Sequence, residues 1–330
     1  VPTNPRPLQK QDDRNVNILL SIDDSRCSSQ AVDFVLSRRW PESSHIKVIT
    51  VVDTPELPDA ADAVDLLIET SGQKIAEDTK EYETKVAYSQ RLVSQMARQL
   101  EQEFPDIFVE YQLLHGYSKE TIIEFASNWP ADLVILGSHG RRGLGRILLG
   151  SVSQSVLLYG DCSTLIVRAQ KERPKRDSQQ LNVLLAVDPS PHSRAVIDYV
   201  LSMPWSDATT FKILTASKPL LSKYDDGINA LHSRTLSQGN REAIAENNEF
   251  LNQTQLALAE AFSRERVSTI LAEGDPGESI LDVANAWPAG LIVMGSRGHG
   301  TMRRLWVGSV SQEVVLQAQC PVEIVKRRVQ

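Results

Sequence analysis

Long apolar runs are missing from this 330-residue chain; the stretches 133–136 and 291–294 fall far short of the roughly 20 residues that span a bilayer. The opening Val1-Pro2-Thr3-Asn4-Pro5-Arg6-Pro7 lacks the apolar core of a secretory signal. Cysteine is scarce too. Cys27, Cys162 and Cys320 form no CxxC pair and are too few for a disulfide framework, so a reducing cytoplasm is the expected setting. Nor is there a basic surplus: 35 Lys and Arg against 42 Asp and Glu leave a net charge of −7. The chain as a whole therefore invites neither a nucleic-acid duplex nor an anionic membrane, and any phosphate recognition must be local. The six histidines show no HxxxH or HxH spacing, so nothing supports a dedicated metal site. What is present, 41% hydrophobic and 23% charged residues, is the composition of an ordinary globular protein, and the length predicts two domains.

The chain repeats itself. Asn17-Ile18-Leu19-Leu20-Ser21-Ile22-Asp23-Asp24-Ser25 returns as Asn182-Val183-Leu184-Leu185-Ala186-Val187-Asp188-Pro189-Ser190, and Trp40 returns as Trp205, both at an offset of 165. Trp129-Pro130-Ala131, Gly137-Ser138-His139-Gly140, Gly150-Ser151-Val152-Ser153-Gln154 and Cys162 return 158 positions later, as Trp287-Pro288-Ala289, Gly295-Ser296-Arg297-Gly298, Gly308-Ser309-Val310-Ser311-Gln312 and Cys320. A period this long is a duplicated domain, not a solenoid unit. The charged, aperiodic stretch around Pro174 reads as a linker. The expected division is a flexible leader (1–14), a first domain (15–170), a linker (171–180) and a second domain (181–330).

Within each copy, short apolar runs alternate with helical patterns. The runs 18–22, 47–52, 108–114, 132–136 and 164–168 read as strands of the first copy; 183–187, 212–216, 267–272, 291–294 and 322–326 read as those of the second. Ala31, Val32, Val35 and Leu36 have the spacing of one helix face, and a long polar helix over about 70–102 should turn Val86, Leu92, Val93, Met96 and Leu100 inward. The polar stretches 73–98 and 238–266 are expected to form solvated helical faces. Strands buried on both faces, alternating with helices, predict an α/β fold: two Rossmann-like domains, each a five-stranded parallel sheet with helices on both sides. Ligands in such sheets bind beyond the carboxyl ends of the strands, at the switch point.

That is where the glycines lie. After the fourth strand both copies read glycine, two residues, glycine, nine residues, glycine-serine: Gly137, Gly140, Gly150-Ser151 and Gly295, Gly298, Gly308-Ser309. Glycines let backbone approach a ligand, a helix N-terminus favours an anion, and Arg141, Arg142 and Arg146 add local positive charge. These parts suit a polyphosphate, but no Gly-Lys-Ser/Thr closes the loop as in a Walker A sequence. The alternative is that the glycines only turn strand into helix and Ser151 caps it. Asp23 and Asp188, ending the first strand of each copy, either accept hydrogen bonds from a base or ribose or cap the next helix with Ser25 or Ser190. Trp129 and Trp287 read as corner anchors, and Cys162 and Cys320 as small packing residues.

Together the hydrophobic-Asp-x-Ser opening and the G-S-x-G loop resemble the universal stress protein domain, in its nucleotide-binding branch with the hallmark G-x2-G-x9-G-(S/T), over 17–168 and 182–326. The resemblance implies a stress-response or signalling role and an adenine nucleotide, ATP, ADP or AMP, as ligand, with any Mg²⁺ arriving on the phosphates. Slow or absent hydrolysis is expected because no general base or nucleophile stands out. By position, the resemblance places Ser21, Ile22 and Asp23 at adenine and ribose and Val51 on the base. Leu136, Gly137, Gly140 and Arg141 would line the turn, with Gly150, Ser151, Val152 and Ser153 around ribose and phosphates. The second set is Ala186, Val187, Asp188, Ala216, Met294, Gly295, Gly298, Gly308, Ser309, Val310 and Ser311. The family's valine-then-Asp after strand two survives as Val51-Val52-Asp53 but becomes Ala216-Ser217-Lys218; its Gly-Asp-Pro turn survives as Gly274-Asp275-Pro276 but is Gly116-Tyr117-Ser118 in the first copy. Site one is therefore expected to be the stronger. The resemblance also implies pairing through the fifth strands: either an internal pseudo-dimer, with 164–168 antiparallel to 322–326, or a homodimer between chains.

Overall fold

The computed structural model describes residues 15–54, 72–139, 149–168, 180–217, 230–297 and 307–326, with backbone only for 72–78 and 230–238. The first copy runs β1 (Asn17–Ser21), α1 (Arg26–Ser37), β2 (His45–Val52), α2 (Gly72–Glu103), β3 (Phe108–His115), α3 (Ser118–Asn128), β4 (Leu133–Gly137), α4 (Ser151–Tyr159) and β5 (Ser163–Val167). The second runs β6 (Asn182–Ala186), α5 (Pro191–Ser202), β7 (Thr210–Ser217), α6 (Ala230–Phe262), a 3₁₀ turn (Arg264–Arg266), β8 (Val267–Glu273), α7 (Pro276–Ala286), β9 (Leu291–Gly295), α8 (Ser309–Gln317) and β10 (Val322–Val325). Each predicted strand falls on an observed one, with ends displaced by one or two residues.

In the first copy the strand order is β3-β2-β1-β4-β5, and in the second it is β8-β7-β6-β9-β10. The pairings β1–β4, β4–β5, β6–β7, β6–β9, β7–β8 and β9–β10 are all parallel. Consecutive residues of β1, β4 and β5 are buried without alternation, so both faces of these strands are covered; β3, at the edge, is buried only at Val109. Among the described residues, 17–36 and 46–168 gather into one compact unit, while 15–16 and 37–45 join 180–326 in the other.

On α1 the predicted face is buried: Ala31, Val32, Val35 and Leu36 are at most 7% exposed. On α2, Val93 and Leu100 are fully buried as expected, while Val86, Leu92 and Met96 are half-buried. Ser89 and Ala97 complete the inward stripe, which hydrophobicity alone does not reveal because both are small. Gly116 (φ 134°) and Gly274 (φ 139°) follow the edge strands in a left-handed region that other residues rarely adopt. Trp129 and Trp287 end α3 and α7 and are anchored from outside by lysines: Lys47 Nζ lies 5.0 Å from the first ring centroid and Lys212 Nζ 4.8 Å from the second. Cys162 and Cys320 are buried and form no disulfide.

Candidate functional site

The site builds from two neighbouring strand ends. In β1–β4 the parallel register sets Ser21 opposite Leu136, so Ile22, Asp23 and Gly137 leave the sheet side by side. Asp23 does not project freely. Its Oδ1 accepts from the Ser25 amide at 3.0 Å and the Ser28 hydroxyl at 2.6 Å, while its own amide donates to Ser28 Oγ at 3.0 Å. The second copy repeats the lock: Asp188 Oδ1 accepts from the hydroxyls of Ser190 (2.5 Å) and Ser193 (2.6 Å), and its amide donates to Ser193 Oγ at 2.8 Å. The helix cap itself is the serine, Ser25 Oγ accepting from the Ser28 amide at 3.2 Å and Ser190 Oγ from the Ser193 amide at 3.3 Å, while one oxygen of each Asp carboxylate accepts from the serines around it. Ser28 and Ser193 are site residues that motif reading missed; their signal was recurrence at the repeat offset of 165.

Beyond β4 three hydrogen bonds fix where α4 begins. The Ser138 amide donates to Val167 O (2.8 Å), the Gly150 amide to Ser138 O (2.7 Å), and the Ser153 hydroxyl to Gly137 O (2.6 Å). In the second copy Ser296 donates to Val325 O (3.1 Å), Gly308 to Ser296 O (2.7 Å) and the Ser311 hydroxyl to Gly295 O (2.9 Å). The hydroxyls of Ser153 and Ser311 are therefore turned inward, holding the loop. At the caps, Gly150 (φ −61°, ψ 148°) and Gly308 (φ −75°, ψ 160°) are extended and, being glycine, bring no side chain of their own to cap the helix. Each helix start therefore meets the strand ends with first-turn backbone donors that the cap residue itself leaves unsatisfied.

Gly137 has a reason of its own to be glycine. A Cβ there would lie 2.7 Å from Cys27 Cβ and 2.9 Å from the Ser28 amide, so β4 packs directly against the first turn of α1. Gly295 is looser, its nearest neighbours being Arg297 O at 3.2 Å and His192 Cβ at 3.4 Å. Gly140, Arg141 and Gly298, expected in the turn, lie outside the described residues. Leu136, Met294, Val187 and Ala186 are buried at the strand ends, and Val51 is half-buried at the end of β2. Ser151, Val152, Ser309 and Val310 occupy the first turns of α4 and α8, and Ala216 lies near the end of β7.

The two departures from the family pattern compensate each other. Asp53 Oδ1 accepts from the Ser118 hydroxyl at 2.8 Å and the Ser118 amide at 3.3 Å, capping α3, whose own cap residue Tyr117 supplies no side-chain bond. In the second copy Asp275 caps α7 itself, accepting from the Gly277 amide at 3.0 Å. One carboxylate serves each helix from a different place in the chain.

Charge is also arranged differently. His139 Nδ1 lies 3.0 Å from Ser138 Oγ, while its Nε2 is buried with no partner. Burial, and then the positive charge of Arg168, hold this imidazole below its ordinary pKa of 6.5. The second copy places Arg297 at this position, with its Nε buried and without a partner. Arg168, just past β5, and its repeat mate Lys326, just past β10, are each buried, at 7% and 9% exposed. Among the described residues no group of three or more His, Cys, Asp or Glu is placed to hold a metal ion, and no helix is long and apolar enough to cross a membrane.

A parallel sheet whose switch-point loop runs into an uncapped helix, present twice, defines a tandem Rossmann-like α/β protein. The chain belongs to the universal stress protein family, whose model matches residues 15–168 and 181–326. It is 30% identical over 155 residues to a universal stress protein of Methanocaldococcus jannaschii, covering 47% of this chain and 83% of that one. It is 27% identical over 238 residues to one of Mycobacterium bovis, covering 66% and 69%. Across nearly the whole chain it shares the fold of a universal stress protein from Archaeoglobus fulgidus, with a TM-score of 0.55 and 22% identity, covering 95% and 98%.

Proposed function

We propose that this universal stress protein binds adenine nucleotide and that occupancy alters its shape or its affinity for a protein partner in a stress response. The observation that carries the reading is the identically pinned, uncapped start of α4 and of α8 at the carboxyl ends of β4 and β9. Free first-turn amides and the helix dipole favour a phosphate there. In this reading the base sits against Val51 and Ile22, with Ser21 and Leu136 behind it. Asp23 offers the ribose its Oδ2, because Oδ1 is held by Ser25 and Ser28. Gly140 and Arg141 complete the turn, and ATP, ADP or AMP enters with any Mg²⁺ already on its phosphates.

Site two follows the same plan through Asp188, Gly295, Gly298 and the start of α8, with Ala216 where the first copy has Val51. The smaller side chain leaves less apolar surface for a base, so site one is the stronger. Equilibrium binding of labelled ATP to the full chain tests this: saturable binding with one tighter and one weaker site is expected. A protein that stays empty at millimolar ATP, ADP and AMP refutes it.

A further inference from the structure

A buried charge cluster stands apart from the nucleotide site, and the repeat reveals how unusual it is. Arg38, in the 37–45 segment, donates from Nη1 to Glu323 Oε2 at 2.8 Å and from Nη2 to Tyr199 Oη at 3.2 Å. Tyr199 donates to Glu323 Oε1, so both carboxylate oxygens are matched. The guanidinium carbon lies 4.6 Å from the ring centroid of Trp40 and 4.6 Å from that of Trp205. The Arg38 and Glu323 side chains are 2% and 0% exposed. All five residues belong to the unit that joins 37–45 to the second copy.

The repeat offsets give each of these residues a mate. Trp40 and Trp205 are mates of each other, yet the mate of Arg38 is Met203, that of Tyr199 is Phe34 and that of Glu323 is Leu165. The three apolar mates are buried, at 2%, 3% and 0% exposure. The charge, its counter-charge and the hydroxyl that completes them thus occur on one set of positions and are absent together from the other. A packing requirement would keep both sets apolar, and a duplication drifting at random would not place arginine, tyrosine and glutamate in mutual contact.

We propose that Tyr199 and Glu323 form a recognition lock in the second copy that accepts the arginine-bearing 37–45 segment of a first copy and refuses the methionine-bearing segment of a like copy. The chemistry enforces the choice. A segment with methionine at this position strands the Glu323 carboxylate in a buried pocket without its cation, and a buried ion deprived of its partner costs far more than the intact pair contributes. The two tryptophans hold one cation between mates, an arrangement that a second arginine would turn repulsive.

The test is a cycle in the full-length chain. Arg38→Met gives the segment its mate's residue; the double variant Tyr199→Phe with Glu323→Leu gives the pocket its mates' residues; the triple variant combines them. Hydrogen exchange of amides 37–45 and the urea midpoint are read together. Arg38→Met, and the pocket variant by itself, should each lower protection of these amides about a hundredfold or more, with a lower midpoint. The triple variant should recover most of the loss. Protection in Arg38→Met within threefold of wild type overturns the proposal, as does a triple variant that loses the sum of its parts or fails to fold. If the partial variants prove too unstable to purify, a folded triple variant with protected 37–45 amides supports it.

Discussion

Replacing Gly150 and Gly308 by aspartate separates stability from ligand binding at one position. Both residues are extended caps (φ −61° and −75°) with no side-chain cap bond, a backbone state in which aspartate is among the best N-cap residues. Their amides stay bonded to Ser138 O and Ser296 O at 2.7 Å, because that bond is main-chain. The gain over glycine as a cap is a few tenths of a kcal/mol, and a carboxylate facing the positive end of the helix adds ~0.3–1 kcal/mol. Each substitution should therefore stabilise the ligand-free protein by roughly 0.5–1 kcal/mol, a rise in Tm of about 1–4 °C for a domain of this size. The same carboxylate occupies the amides proposed for phosphate and repels an anion, so ATP affinity should fall at least about tenfold at each altered site. Thermal scans without nucleotide and calorimetric titration with ATP read the two effects. If Gly150→Asp with Gly308→Asp raises Tm and leaves ATP binding intact, the phosphate does not sit at these helix starts. If Tm falls, the uncapped geometry itself is misread.

Three further outcomes follow from the packing and the charges. Gly137→Ala brings a Cβ to within 2.7–2.9 Å of Cys27 and Ser28, partly backbone, and should cost about 1–3 kcal/mol by urea denaturation; Gly295→Ala, with its nearest neighbour at 3.2 Å, should cost less. Asp53→Ala and Asp275→Ala each remove the carboxylate that caps α3 or α7, so each should lower stability by about 1 kcal/mol despite their unrelated positions in the repeat. His139 is held below 6.5 in the folded protein, so as pH falls the unfolded chain takes up the proton first. Its contribution is complete above pH 6.5 and is lost as pH falls from there toward the folded value; His139→Gln should flatten that part of a stability–pH curve, and an unchanged slope would remove the argument.

Most of the architecture was legible because duplication wrote it twice. Short runs four to seven residues long, alternating with helical periods, located every strand, and the doubly buried pattern of β1, β4 and β5 forced a parallel sheet covered on both faces. The described ends of the segment after β4, Gly137 and Gly150, were legible for the same reason, since glycine spacing survives copying. Their hydrogen bonds were not. The resemblance sets Ser153 around ribose and phosphates, and its hydroxyl donates to Gly137 O; Gly137 is glycine first because α1 packs directly against it. Such facts depend on which chain segment arrives at a given place, and local pattern carries no record of that.

The amino-acid order alone determined two α/β repeats, the strand ends where a ligand would meet them, and the residues that occupy those ends, because periodicity and turn chemistry are local properties of the chain. Only the tertiary structure decided how the carboxylates are used: Asp23 and Asp188 locked by serines, Asp53 and Asp275 capping corresponding helices from different positions, and Glu323 facing an arginine 285 residues away. A carboxylate acquires its role from the donors that surround it in space, and those donors come from remote parts of the chain.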